Sequence, residues 1–376
     1  LLRELGAYLT SLSGTDPFNM QVKAFRPRSI KTIEGHFKRY ISALHHQGVD
    51  LLGISSLKAL VTKEMFQLAM RWFWDRNGEQ TSKHIGEIAW TIRCFATKHL
   101  TADEETRAFY AGAMKRLRVS QDGLSDKNQR AMAQFDDPKM IEALVGLPIK
   151  LWAKAERSRN TASTHRRSKE LQLCIQAAVA IEILIFAPIR ISNLQNLRLD
   201  QHISWQNMHA VIHIPRAQVK NDIDLVFKLP LTVSQRIQTY IRDWRALYTE
   251  GANPFLFPGR KMNPKDGTRL RRQISKALWD EAGIKLTPHQ FRHAAAKILL
   301  DAKPGHYEVI RKILGHKNLT TTYAHYAGAE TQAALDLYDD VILEHRKGTS
   351  FGSPQRKGKF QEPPFMDPLQ IYGGKK

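Results

Sequence analysis

Apolar residues recur with a helical period through almost the whole chain, and only one stretch alternates as strands do. His209 to Ile214 alternates, and Ile223 to Leu229 follows across a polar turn containing Asn221-Asp222. The fold this permits is mainly α with a small β-sheet. A length of 376 residues suggests two or three domains and leaves ample chain for a sizeable core.

The first third reads as a bundle of four helices. Ile30, Ile33, Phe37, Tyr40, Ile41 and Leu44 share one face until Gly48 stops the pattern. A second helix runs from about Thr62 to Arg76, a third begins near Thr81, and a fourth runs from about Ala102 to Leu117. Trp72, Phe73 and Trp74 read as packing residues of the second. Residues 119–135 lose apolar periodicity and read as a linker. Asp137-Pro138 restarts helix as an N-cap followed by proline at N1. Residues 155–168 are polar and basic, an expected exposed loop before an apolar helix from about Lys169 to Phe186. Its core, Ile175 to Ile189, contains Glu182 and meets Pro188, and is too short to span a membrane. Helical patterning returns at Val233. Residues 251–272 read as a basic loop containing Pro and Gly, and helices resume to about His345. The tail, 348–376, is rich in Gly, Pro, Lys and Arg and is expected to be disordered alone. The division expected is 1–118, a linker at 119–135, 136–347, and a tail at 348–376.

Lys and Arg number 57 against 36 Asp and Glu, a formal net charge of +21. The excess is +7 over residues 1–135, +11 over 136–339 and +3 over 340–376, so no single tail explains it. A body this basic calls for a polyanion, either nucleic acid or an anionic membrane surface. No strongly basic amphipathic helix with an exposed apolar face is evident, which disfavours the membrane. Cys94 and Cys174 are too few for a disulfide scaffold and lack metal-ligand spacing, so they read as buried thiols in a reducing cytoplasm. The chain begins Leu1-Leu2 without an initiator methionine, so further residues are expected upstream.

Chemistry concentrates in the second half. Arg190 follows Ala187-Pro188-Ile189 at the end of a buried helix. His289 and Arg292 lie three apart in Thr287-Pro288-His289-Gln290-Phe291-Arg292-His293, on the first turn of a helix with Thr287 as its expected N-cap. An imidazole and a guanidinium on one face beside a positive helix end suit a phosphate. Leu314-Gly315-His316 adds a third cation, and Tyr323 and Tyr326 follow.

Taken together and in order, Arg190, a lysine in a β-turn, His289-xx-Arg292, Leu314-Gly315-His316 and a tyrosine about ten residues later resemble the tyrosine recombinases, the phage integrase family. The resemblance implies an N-terminal helical bundle, the SAM-like core-binding domain, and a mixed α/β catalytic domain, together forming a clamp on DNA. It implies cleavage and rejoining of DNA strands through a 3′-phosphotyrosine intermediate, as in integration or excision of a mobile element. Arg190 and Arg292 would hold the non-bridging oxygens, since a guanidinium fork binds two oxygens at once. His289 and His316 would exchange protons or donate hydrogen bonds. Lys220 would protonate the leaving 5′-oxygen, with Lys228 in reserve, and Tyr326 would attack. Covalent catalysis conserves the bond energy, so neither cofactor nor metal is implied. The implied partners are double-stranded DNA recombination sites and other copies of the chain. The expected assembly is a homo-tetramer on paired sites, monomeric when free, in the cytoplasm and associated with the nucleoid. Lys115, Arg116 and Arg118 at the end of the fourth helix, and Arg269, Arg271 and Arg272, are the expected DNA-binding residues, with Lys127 and Arg130 in the linker.

The chain departs from the family pattern in four places, one being the distance from Lys220 to the Leu229-Pro230 strand end, which is slightly longer than usual. Thr-Gly upstream of the first arginine is replaced by Ala187-Pro188, and the acid three residues after it by Asn193. The tyrosine usually lies nine residues after the histidine of Leu-Gly-His, where this chain has His325. Tyr326 is one helical step from that direction and Tyr323 two, which favours Tyr326 and leaves Tyr323 as a packing neighbour. The alternatives are a type IB topoisomerase-like relaxation of supercoils and a non-catalytic DNA-binding relative. The short linker and small bundle favour the recombinase over the first, and the complete cation set with a tyrosine over the second.

Overall fold

The computed structural model describes residues 1–14, 24–119, 123–159, 165–249, 253–326 and 331–347. The chain divides into two compact units, Leu1–Gln121 and Asp122–Lys376. The first is helical: α1 (Leu2–Ser11), α2 (Pro27–His46), α3 (Leu57–Leu60), α4 (Lys63–Arg76), α5 (Lys83–Cys94) and α6 (Glu104–Leu117). Thr62, Ser82 and Asp103 cap α4, α5 and α6 by accepting from the backbone N–H three residues on. The four expected helices are α2, α4, α5 and α6; α1 and the single turn α3 are additions. Helix α1 escapes a periodicity argument because it buries little, but what it buries matters. Tyr8 packs edge-on against Phe95 at 4.8 Å, and Phe37 meets the same ring at 5.2 Å. The buried hydroxyls of Tyr40 and Tyr110 donate to Leu60 O and Val61 O at 2.7 and 2.8 Å, fixing the chain between α3 and α4.

The second unit opens with α7 (Asp126–Ala133), α8 (Pro138–Ser158) and α9 (His165–Phe186), then α10 (Ile191–Gln195). A three-stranded antiparallel sheet follows in the order β1 (Ile203–Gln206), β2 (His209–Ile214) and β3 (Leu225–Lys228). Ile212 pairs with Ile203 on one side and Phe227 on the other. Then come α11 (Leu231–Thr239), α12 (Gly267–Ala282), α13 (Phe291–Ala302), α14 (Tyr307–Leu314), α15 (Leu319–Tyr326) and α16 (Thr331–Lys347). Asp137 caps α8 as expected, accepting from Lys139 N at 2.9 Å. Glu182 is almost fully buried in α9, and Arg236 of α11 meets its carboxylate with Nε 2.9 Å from both oxygens. A lone buried carboxylate would be costly, and this paired one locks α11 onto α9.

Several expectations change. Residues 119–135 are not simply a linker: α7 and the 3₁₀ turn after it bury Met132 and Phe135 in the core of the second unit. A helix of eight residues that buries so little is too short to register as a periodic pattern. The loop expected at 155–168 is helical at both ends, with α8 continuing to Ser158 and α9 starting at His165; residues 160–164 lie outside the described residues. The loop expected at 251–272 ends at Asp266, whose side chain caps α12 by accepting from Arg269 N at 3.0 Å. Strand β1 is invisible to alternation because all of it but Ile203 is exposed. The expected disorder of the tail at 348–376 also falls outside the described residues. Among the described residues no helix is long and apolar enough to cross a membrane.

Phe135 is 2% exposed. Phe135→Ala should therefore cost about 3–5 kcal/mol in a urea unfolding experiment on the full chain. A linker residue would give a change within about 0.5 kcal/mol.

Candidate active site

The site assembles around Arg292, near the start of α13. The helix begins at Phe291, so His289 lies in the turn before it, and Thr287 is not the N-cap. Its backbone N–H and hydroxyl instead sit 2.9 Å from Gln290 Oε1. Arg292 is 4% exposed, and its guanidinium is held by backbone carbonyls. Nη1 donates to Pro188 O at 2.8 Å and Nη2 to Leu314 O at 2.6 Å, with His316 Nε2 3.5 Å from Nη2. The first bond fixes the segment that leads to Arg190, and the second fixes the one that leads to His316. Burial, then the charge of Arg190, lowers the Arg292 pKa to about 10, so it stays charged at neutral pH.

Gly315 makes the second segment possible. It ends α14 in the left-handed region at φ 59°, and a Cβ there would lie 2.5 Å from Leu225 Cδ2 of β3. The chain then turns so that His316 is 7% exposed, its Nδ1 2.9 Å from Thr322 Oγ1 of α15. Burial first, then Arg292, His325, Arg190 and Arg311, lowers the His316 pKa to about 4, which makes it a neutral imidazole.

Arg190 precedes α10. Its Nη2 donates to Asn221 Oδ1 at 3.0 Å, and Asn221 Nδ2 donates to Gly315 O at 2.7 Å. Asn221 thus ties the turn between β2 and β3 to both cation-bearing segments, a role that no local sequence pattern signals. Arg190 Nη1 is buried without a hydrogen-bond partner among the described residues. Asn193, in the place of the family's acid, contributes no side-chain bond to Arg190, and its own Nδ2 is buried and unpartnered among those residues. Lys220 is exposed in the β2–β3 turn beside this cluster. His289 is also exposed; its pKa is lowered by partial desolvation and, more securely given that exposure, by the charges of Arg292, Arg190, Arg271 and Lys220. Lys228 sits on the edge strand β3, opposite Val211.

The two tyrosines separate sharply. Tyr326 is 2% exposed, and its hydroxyl oxygen lies 2.9 Å from Nδ1 of His293, a residue that no sequence signal marks. Burial raises the Tyr326 pKa and the charge of Arg292 lowers it. Tyr323 is exposed and packs on Tyr307 at 4.3 Å. His325, at the place where the family usually carries its tyrosine, is exposed with its ring 6.5 Å from that of His316.

The expected DNA-binding arginines also divide. Arg269, Arg271 and Arg272 are all exposed on the first turns of α12, and the charge of Arg271 is one of those that lower the His289 pKa. Arg269 and Arg272 line a groove of about 790 Å³ with Lys154, Lys169 and Lys265. Burial, then the charges of Arg269 and Lys169, lowers the Lys265 pKa to about 8. Lys115, Arg116 and Arg118 are exposed at the end of α6 in the first unit.

Two histidines buried in neutral form make this unit acid-sensitive. His316 and His293 each fall from 6.5 to about 4. Above pH 6.5 neither folded nor unfolded chain binds the proton. Between 6.5 and 4 only the unfolded chain does, so stability falls as pH falls, by up to about 3 kcal/mol for each group. The melting temperature should drop across that window and drop less in His316→Asn. An equal slope in that variant would remove His316 from the acid-sensitive set.

Comparison with known proteins places this geometry. Residues 160–333 match the model of the phage integrase family. Tyrosine recombinase XerA of Pyrococcus horikoshii is 26% identical over 142 residues, 37% of this chain and 46% of that protein. Tyrosine recombinase XerA of Thermococcus kodakarensis is 27% identical over 197 residues, 51% of this chain and 62% of that protein. The matches thus span roughly half the length of these curated relatives. In fold, the chain is similar to a lambda integrase dimer bound to a COC′ core site, at TM-score 0.50 and 12% identity, covering 88% of this chain and 95% of that one. The matched stretch, residues 160–333, holds Arg190, His289, Arg292, His316 and Tyr326, and this part of the chain is similar to the phage integrase family.

Proposed function

We propose that the protein is a site-specific DNA recombinase that cuts and rejoins strands through a 3′-phosphotyrosine link, serving the integration or excision of a mobile element. The observation that carries this reading is the buried Nη1 of Arg190, unpartnered among the described residues, amid Arg292, His289 and Lys220. A buried donor without an acceptor is costly, and a scissile phosphate supplies both the acceptor and the missing negative charge.

In this reading Tyr326 Oη attacks phosphorus and gives its proton to His289, the P–O5′ bond breaks, and Lys220 protonates the departing 5′-oxygen. Religation reverses the step: the partner strand's 5′-hydroxyl attacks, and the tyrosine oxygen leaves. Arg190 and Arg292 stabilise charge on the non-bridging oxygens as it grows. His316, neutral, serves as a hydrogen-bonding group, and His289, at the open side, exchanges protons. The helical unit takes the part of a core-binding domain, with Lys115, Arg116 and Arg118 on phosphates. A tetramer on paired sites completes the reaction. The exposed Leu337, Tyr338 and Val341 of α16 support association between copies, as they leave that helix with an apolar face uncovered. The names of the matched relatives favour recombination over relaxation of supercoils.

Incubation with a nicked suicide substrate carrying the cognate site, followed by a denaturing gel, tests the chemistry. Wild type and Tyr323→Phe should give a covalent protein–DNA band, and Tyr326→Phe none. Arg190→Ala should bind DNA normally but cleave about 10²–10³ times more slowly. An adduct mapped to Tyr323, or Arg190→Ala cleaving within a fewfold of wild type, would overturn these roles.

A second measurement addresses the interface. The slope of log K against log salt should flatten by about 0.9 for each phosphate that a variant no longer neutralises. Arg271→Gln should show this. A slope unchanged even when Arg269, Arg271 and Arg272 are all replaced by Gln would take α12 off the DNA.

A further inference from the structure

One chain of buried and half-buried polar groups leads to Tyr326 through residues that the reaction above does not use. It begins at the backbone N–H of Thr287, a donor whose polarity is not open to choice. That N–H lies 2.9 Å from Gln290 Oε1, so Gln290 Nε2 is the donor end of the amide. Nε2 lies 3.1 Å from Asn128 Oδ1, which makes Asn128 Nδ2 a donor in turn. Nδ2 lies 3.4 Å from His293 Nε2. A ring nitrogen that faces an amide donor is the unprotonated one, so the proton of the neutral imidazole sits on Nδ1. Nδ1 lies 2.9 Å from the hydroxyl oxygen of Tyr326. Every link has one consistent direction, and the last is a donation to the phenol oxygen.

We infer that His293 is a positioning residue for Tyr326: its Nδ1–H, oriented by Thr287, Gln290 and Asn128, holds the phenolic oxygen as an acceptor and leaves the hydroxyl proton free to depart. This rests on Tyr326 being the nucleophile, as proposed above. A hydrogen bond donated to a phenol oxygen favours its ionised form. It therefore opposes the effect of burial, in the same direction as the charge of Arg292. A neutral donor does this without adding another positive charge to an already cationic site.

The surroundings keep His293 neutral. Arg292 is on its own helix, with His289 in the turn before, and the two imidazole rings stand 5.5 Å apart. Helix α15 presents His325 and Tyr326, the loop before it His316, and α7 Asn128. None of these groups carries negative charge in the resting site, so none draws a second proton onto the ring. Asn128 comes from the segment that reads in sequence as linker, which gives α7 a reason to pack against α13.

The relay makes a directional prediction. Asn128→Asp keeps the shape but presents a charged acceptor to His293 Nε2, so at a pH high enough for the ring to remain neutral its proton moves there and Nδ1 becomes the acceptor of the Tyr326 hydroxyl. Nitrogen-15 spectra of histidine-labelled protein, with the His293 resonances assigned by loss in His293→Asn, should show Nδ1–H in wild type and Nε2–H in Asn128→Asp. In adduct formation on the nicked substrate, His293→Phe should bind DNA normally and react 10- to 100-fold more slowly at pH 7, with the deficit shrinking as pH rises. His293→Asn, which keeps an N–H near the Nδ1 position, should recover most of the rate. Asn128→Asp should displace the rising limb of the pH profile by at least one unit. Nε2–H in wild type, a wild-type pH profile in His293→Phe, or no difference between the Asn and Phe variants would each overturn the inference. If His293→Phe fails to fold, the nearly isosteric Asn128→Asp carries the test with the same two readouts. Adduct retained in Tyr326→Phe would instead overturn the nucleophile assignment, while the spectra would still report the relay's direction.

Discussion

A buried guanidinium cannot be left to itself, and the arrangement of the second unit follows from how Arg292 is satisfied. Its two terminal nitrogens take carbonyls from Pro188 and Leu314, residues far apart in sequence. The second is an end-of-helix carbonyl that α14 has no intrahelical donor for, so the arginine also serves as a cap. Arg190 lies two residues beyond one carbonyl and His316 two residues beyond the other. Holding the carbonyls therefore positions the side chains. Desolvation weakens the arginine's hold on its proton, yet leaves it charged at neutral pH. The same charge helps keep His316 and His293 neutral and eases ionisation of Tyr326.

The buried carboxylate of Glu182 is neutralised, by Arg236. The charge of Arg190 has no such partner among the described residues. The place where the family carries an acid holds Asn193, and the Arg190 guanidinium is satisfied on one terminal nitrogen by Asn221 and on the other by nothing among the described residues. Positive charge gathered without an internal counter-ion costs stability in the free protein. That cost is regained only with an anion in place. Asn221 then carries much of the positional burden, bonding Arg190 on one side and the backbone before His316 on the other.

The cations of the site are legible in sequence because they come in short runs whose spacing is local: His289 with Arg292, and Leu314-Gly315-His316 with its obligatory left-handed glycine. The groups that orient them are not. Asn221, Asn128 and His293 act across gaps of tens to more than a hundred residues, and an amide or a second histidine looks like any other polar residue until its partner is known. Residues 119–135 read as linker for a related reason. Helix α7 is too short to show a period, and its place is fixed by Met132, Phe135 and Asn128 meeting other elements.

By itself the sequence determined a helical first unit, a later unit with a small sheet, a strongly basic body and the ordered set Arg190, His289, Arg292, His316. Each of these follows from local periodicity, composition or spacing along the chain, which the residues carry with them. Helical spacing already favoured Tyr326 over Tyr323, but only the tertiary structure decided that Tyr326 is buried against His293 while Tyr323 lies exposed on Tyr307, since the two differ by less than one helical turn and their separation depends on what α13 and α14 present to them. It also decided that the charge of Arg271 bears on His289, and that a backbone N–H at Thr287 sets the direction of a hydrogen bond to Tyr326. Relations of this kind depend on distances between elements, and a single sequence encodes those only through the packing of the whole unit.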